Sequence, residues 1–246
     1  MNKKITALLI ALAIGLTFGL TFLTNSTGSI SQPSFPDGEP ESNYNAELTA
    51  LSAEEAHARG ATVKILTPSG GHGSGTLYNY QGNLVVFTAK HVVEGPGIYW
   101  LVDEWGEERS AIAIYLDEKY DFAILKISKK FTKTKPWRLR IPLYDIRDHI
   151  DKGLIFSGYP SSLPMLTNRG SVAGFKDNAL IMHSAAWMGS SGSNVFDNSG
   201  NFIGILYAIS VGSFYGTPTL MEDVVWVTPY YLLNWKVIKK TIKEKG

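Results

Sequence analysis

Leu84-Val85-Val86-Phe87-Thr88-Ala89-Lys90-His91-Val92-Val93 is an apolar, β-branched run that leads into a histidine. Such a run predicts a buried strand that opens into a loop, with His91 at the strand edge. A base in that place is both held and reachable. Two further segments share the design. Asp121 begins the run 122–127, another buried-strand pattern. A carboxylate entering such a strand needs a partner, and an imidazole N–H is a natural one. Ser191 lies within Gly189-Ser190-Ser191-Gly192-Ser193. Its glycines permit a tight turn that can aim backbone N–H groups at one point. Taken singly, each segment has a plain alternative: a structural histidine, a strand-capping aspartate, a flexible Gly-Ser loop. Order and spacing favour the joint reading. His91, Asp121 and Ser191 follow one another at intervals of 30 and 70 residues. They are the base, the orienter and the nucleophile that acyl transfer needs.

Working outward, short β-branched and aromatic runs alternate with Gly, Asn and Asp turns from residue 61 onward. Strands are expected at 61–67, 75–80, 84–88, 98–102, 111–115, 122–127, 154–157, 180–183, 202–209 and 224–227. This spacing predicts an all-β sandwich or barrel. A helix is expected at 46–59, ending at Gly60. An amphipathic helix at 230–243 follows Pro229, with Leu232, Leu233, Trp235 and Ile238 toward the core.

At the other end, residues 5–23 carry no charge and no proline. As a helix these 19 residues extend about 28 Å, close to the bilayer hydrocarbon thickness. Secretory h-regions are shorter, and only Thr24-Asn25-Ser26 offers a weak cleavage site. A retained signal anchor is favoured over a cleaved signal. Lys3 and Lys4 put the remainder outside the cytoplasm. Residues 24–45 hold Pro33, Pro36 and Pro40 among Ser, Gly and Asn, and read as a flexible tether. The expected organisation is therefore an anchor at 1–23, a linker at 24–45 and one globular domain at 46–246.

A net charge of +1 gives no nucleic-acid footprint. The absence of cysteine excludes disulfides and thiol chemistry, so an apolar core must hold the fold. No His or carboxylate cluster has metal-ligand spacing, and no cofactor is expected. The remaining histidines are expected in different settings. His57 and His72 are placed at exposed sites, and His183 on a strand that can face the substrate groove. Oligomeric state is not legible.

The three segments together resemble the trypsin/chymotrypsin-like serine proteases, whose bacterial members include DegP/HtrA-type and glutamyl-endopeptidase-type enzymes. Thr88-Ala89-Lys90-His91-Val92 resembles the family's Thr-Ala-x-His-Val segment. Asp121-Phe122-Ala123-Ile124-Leu125 resembles Asp-x-Ala-x-Leu, and Gly189-Ser190-Ser191-Gly192-Ser193 resembles Gly-Asn/Asp-Ser-Gly-Gly/Ser. Gly73-Ser74-Gly75-Thr76, Gly158-Tyr159-Pro160 and Gly204-Ile205 are secondary matches. The resemblance covers about residues 61–231. It implies two six-stranded antiparallel β-barrels with the site between them. No PDZ-type module is expected, because the chain ends just after the expected C-terminal helix. The resemblance implies a serine endopeptidase acting on polypeptides through Ser191, His91 and Asp121. The backbone N–H groups of Gly189 and Ser191 would form the oxyanion hole. Ala185 would floor the substrate pocket, with Leu206, Tyr207 and Ala208 along its wall. That lining carries no charge, so apolar side chains are expected at the cleaved position. A peptide-binding pseudoprotease and an esterase remain as alternatives. Two positions depart from the family pattern. Ser190 replaces an acidic or amide residue, and Asn194 stands where proline is usual. An uncharged Ser190 cannot pair with a freshly cut N-terminus, so no activating cleavage is expected.

Overall fold

The computed structural model describes residues 51–246, except Ser162, Gly216 and the side chain of Phe214. The anchor expected at 1–23, the linker expected at 24–45 and the first part of the helix expected at 46–59 lie outside the described residues. Within the described residues that helix, α1 (Ala53–Gly60), starts at a capping box. Ser52 Oγ accepts from Glu55 N–H, and the Glu55 carboxylate accepts from Ser52 N–H. Among the described residues, no helix is long and apolar enough to cross a membrane.

Among the described residues, twelve strands form two closed antiparallel barrels. The first contains β1 (Thr62–Leu66), β2 (His72–Tyr80), β3 (Asn83–Thr88), β4 (Tyr99–Val102), β5 (Glu108–Leu116) and β6 (Ala123–Ile127). The second contains β7 (Gly153–Gly158), β8 (Leu166–Lys176), β9 (Ala179–His183), β10 (Asn194–Asp197), β11 (Phe202–Phe214) and β12 (Thr217–Pro229). The order around the first is β1-β2-β3-β6-β5-β4, and around the second β10-β11-β12-β9-β8-β7. Local chemistry fixes two hairpins. Gln81 and Gly82 both have positive φ, as do Asp177 and Asn178. Two such residues make the turn whose twist matches its strands. Tyr80 is accordingly registered with Asn83, and Lys176 with Ala179.

The ten expected strands are present with shifted ends, and two more are added. β8 reads Leu-Thr-Asn-Arg-Gly-Ser-Val-Ala-Gly-Phe-Lys, with only Val172 fully buried and a bulge between Val172 and Gly174. Such a strand has no apolar alternation to read. β10 has four residues and polar ends. β11 and β12 run past the expected limits into a long, exposed hairpin. The C-terminal helix also differs. A 3-10 turn occupies Tyr230–Leu232, and α2 (Trp235–Lys245) starts where the Asn234 side chain accepts from Val237 N–H. Asn234 is a strong N-cap, so the helix begins there rather than after Pro229.

The core runs through both barrels. Tyr78 and Phe87 of the first meet Phe202 of the second, with ring centroids 6.4 and 6.0 Å away. Trp235 of α2 closes over Phe87 and Phe202. A buried phenylalanine contributes about 2 to 3 kcal/mol of transfer free energy. Trp137, on the connector between the barrels, exchanges backbone hydrogen bonds with Leu77 and Asn79, and its ring packs on Phe196. α1 touches both barrels. Arg59 bonds Glu104 on one side and Met165 O and Thr167 Oγ1 on the other.

Candidate active site

His91 lies in a 3-10 turn at Lys90–Val92, just past β3. Asp121 lies just ahead of β6. Its loop is shaped by Asp117, whose carboxylate accepts from Lys119 N–H and Tyr120 N–H. The structure brings the two residues together. His91 Nδ1 is 2.6 Å from Asp121 Oδ2, and His91 N–H donates to Asp121 Oδ1 at 3.0 Å. A carboxylate only accepts, so Nδ1 carries the proton and Nε2 faces outward. Ring and backbone are therefore both clamped by one side chain. The His91 side chain is 45% exposed, so its outer nitrogen is reachable.

Ser191 sits between β9 and β10, on the second barrel. It shares with His91 a cleft of about 470 Å³, also lined by His72, Val92, Tyr99 and Pro68. No hydrogen bond joins Ser191 Oγ to His91 among the described residues. The turn before Ser191 is closed by Ser190 N–H donating to Trp187 O at 2.9 Å, with Gly189 at φ +94°. Positive φ at the third position makes this a type II turn. A Cβ at Gly189 would lie 2.4 Å from Tyr159 O, so only glycine fits. Gly192, at φ +88°, is equally constrained, with Ser74 O 2.1 Å from its notional Cβ.

Peptide planarity fixes where the two expected oxyanion donors point. In a trans peptide the C=O and the following N–H point in opposite directions. Met188 C=O accepts from Ser161 N–H at 2.5 Å, which turns Gly189 N–H to the other side. Ser190 C=O accepts from Ser193 N–H at 3.0 Å, which does the same for Ser191 N–H. Neither Gly189 N–H nor Ser191 N–H donates to another group among the described residues.

The expected pocket residues separate. Ala185 is exposed, beside Ser184 and Ala186, whose N–H groups donate to Asp223 O and Glu222 O. Tyr207 and Ala208 are half-buried on β11. Burial pushes the Tyr207 phenol up to about 12, and the Asp121 charge adds to the shift. That phenol stays neutral beside the His91–Asp121 pair. Leu206 does not line a pocket with its side chain, a correction to the expectation. It is buried in the core, and its backbone pins the Ser191 loop through Gly192 N–H and Ser193 O.

Asn194 shows why proline is absent there. It is buried, accepts from Tyr78 OH, and donates to Phe87 O and Gly192 O. His57 is exposed and rests edge-on against Trp137. His183 is exposed, 3.8 Å from Asp223. His72 departs from the exposed setting expected of it. It is half-buried as the first residue of β2, and its Nε2 donates to Tyr159 O at 3.0 Å. The sequence reading missed Ser74 and Ser161 as parts of the site. Gly73-Ser74-Gly75 and Gly158-Tyr159-Pro160 were the signals, but a motif does not say which atoms meet.

Residues 73–205 match the family model for the trypsin-like peptidase domain, more than half of the chain. Among curated proteins none matches the sequence. Among solved structures, the serine endoprotease from Yersinia pestis is similar, with a TM-score of 0.60 at 22% identity. That alignment covers 79% of this chain and 68% of that one. An inactive serine-to-alanine form of Rv3671c from Mycobacterium tuberculosis H37Rv aligns with the same TM-score, 0.60, at 15% identity, over 79% and 92%. At such identities the likeness speaks for the double-barrel fold. The family match reaches from Gly73 through the histidine, aspartate and serine segments to Ile205, and on that ground the chain belongs to the trypsin-like peptidases and is a serine protease.

Proposed function

We propose that the chain is an endopeptidase whose catalytic triad is Ser191, His91 and Asp121. The observation that carries this is the doubly bonded His91–Asp121 pair, with Ser191 on the same cleft. Ser191 Oγ attacks the scissile carbonyl while His91 Nε2 takes its proton. Asp121 holds the Nδ1–H tautomer and stabilises the imidazolium. The N–H groups of Gly189 and Ser191 receive the oxyanion. His91 passes the proton to the leaving amine, then activates the water that hydrolyses the acyl-enzyme. The Ser191–His91 hydrogen bond is made on substrate binding, since such bonds often tighten only in the Michaelis complex.

A fluorophosphonate probe tests the assignment. The protein should be labelled, and Ser191→Ala should abolish the label. Triad members act as a unit, so Ser191→Ala, His91→Ala and the double variant should lose similar activity, on the order of 10⁴-fold or more. A His91→Ala variant that kept a tenth of wild-type kcat would overturn the base assignment.

The substrate is a polypeptide with an apolar, modest-sized side chain at the cleaved position, received by Ala185, Tyr207 and Ala208. The protease domain at 46–246 works outside the cytoplasm, held by a signal anchor at 1–23 through the linker at 24–45.

A further inference from the structure

We propose that Ser74 is a positioning residue of the oxyanion hole. Its hydroxyl locks the turn from Trp187 to Ser190 in the form that directs Gly189 N–H toward the substrate carbonyl. The inference rests on the triad assignment and goes beyond it, because Ser74 touches no reacting atom.

Ser74 lies on β2 of the first barrel and is fully buried. Its hydroxyl is used twice, accepting from Tyr159 N–H at 2.9 Å and donating to Gly189 O at 2.8 Å. Its own N–H donates to Ser191 O at 2.8 Å. The Gly189–Ser190 peptide lies between the two peptides that carry the oxyanion donors. Holding its carbonyl restrains both neighbours.

The competing state is defined by turn geometry. Rotating the Met188–Gly189 peptide by about 180° converts a type II turn into type I and brings φ of Gly189 to about −90°. Met188 C=O then points where Gly189 N–H points now, and the hole is lost. Glycine permits both forms, so Gly189 itself does not choose. The choice is made by surrounding partners. Ser161 N–H holds Met188 O, the Ser74 hydroxyl holds Gly189 O, and His72 holds the Tyr159 carbonyl that abuts Gly189. Ser74 and His72, both on β2 of one barrel, bond the loop after β7 of the other, and Ser74 alone of the two also bonds Gly189 O.

Ser190 fits this view. It is buried and uncharged, and its Oγ faces back to Trp187 N–H at 3.4 Å. It offers no ion pair to order the turn. In Ser74→Ala, Tyr159 N–H loses its acceptor and Gly189 O its donor, both in a buried setting where unmade hydrogen bonds are costly. With Tyr159 N–H released, the segment that presents Ser161 N–H to Met188 O loses its anchor, and the type II form loses its advantage.

The test uses the full chain, with active sites counted by fluorophosphonate. Ser74→Ala should lower kcat per labelled site about tenfold or more, with KM within about threefold, since losing one oxyanion donor outright costs roughly 10²-fold or more. The inhibition constant of a peptide aldehyde, whose hemiacetal oxygen would occupy the hole, should rise by a similar factor. A purely structural role would lower the melting temperature and leave both per-site quantities unchanged, and that result overturns the proposal. If Ser74→Ala does not fold, Ser74→Cys, of similar size but a weaker donor, is read by the same two measurements and the same criteria. A wild-type chain that fails to label at Ser191 refutes the triad assignment first, and the role of Ser74 with it.

Discussion

Asn194 and Leu206 mark how much a residue can conceal. Both are read from the sequence by analogy, and both do their work through contacts that no local pattern announces. The polar Asn194 side chain bonds groups about 110 positions away as well as its own loop. Leu206 contributes its backbone, not its side chain, to the Ser191 loop. The residues of the proposed triad stand out in the sequence because they lie at the ends of apolar strands, where a polar group needs a reason. Ser74 and Ser161 were not, because small polar residues in Gly-rich segments are ordinary. Specificity belongs to this scale too. Ala185, Tyr207 and Ala208 offer no charge to a buried side chain, and burying an unpaired one costs several kcal/mol. A substrate-library profile should therefore favour small to medium apolar side chains at the cleaved position. A strong preference for Lys or Arg would shift the assignment to the neighbouring carboxylates of Glu222 and Asp223.

Elements were legible where their apolar residues repeat and obscure where hydrogen bonds alone define them. β3 and β6 announce themselves. β8 is mostly half-exposed, and β10 ends on Asp197, which belongs to the turn more than to the strand. That turn carries a prediction. Burial alone would raise the Asp197 carboxyl, but hydrogen bonds from Tyr144, Asn201 and Ser199 outweigh it and hold the group below the usual carboxylate range. A depressed folded pKa stabilises the protein above the unfolded value near 3.9, and that contribution is lost as pH falls through the folded value. Asp197→Asn should thus cost about 1 to 3 kcal/mol in urea unfolding at pH 7. The difference from wild type should narrow clearly by pH 3. An equal difference at both pH values would show that charge is not what Asp197 contributes.

At the scale of the whole molecule, the double barrel followed from a resemblance that strand spacing alone narrowed only to a sandwich or barrel. Barrel closure is a property of distant pairings, such as β1 with β4 and β7 with β10, which no short window contains. The proposed anchor is also tested at this scale. The full-length protein should partition with membranes and resist carbonate extraction. A mature N-terminus near Ser26 on the native protein would overturn the anchor in favour of secretion.

The hydroxyl of Ser74 meets a carbonyl 115 positions later in the chain, and Gly192 is secured by Leu206. A ribosome delivers the chain N-terminus first. His91 and Asp121 are therefore made, and can fold against each other, long before the nucleophile loop has anything to grip. The loop is complete only when β11 has been synthesised, with about seven-eighths of the chain already made. On the proposed assignment, the growing polypeptide until that moment holds a base with no nucleophile in place.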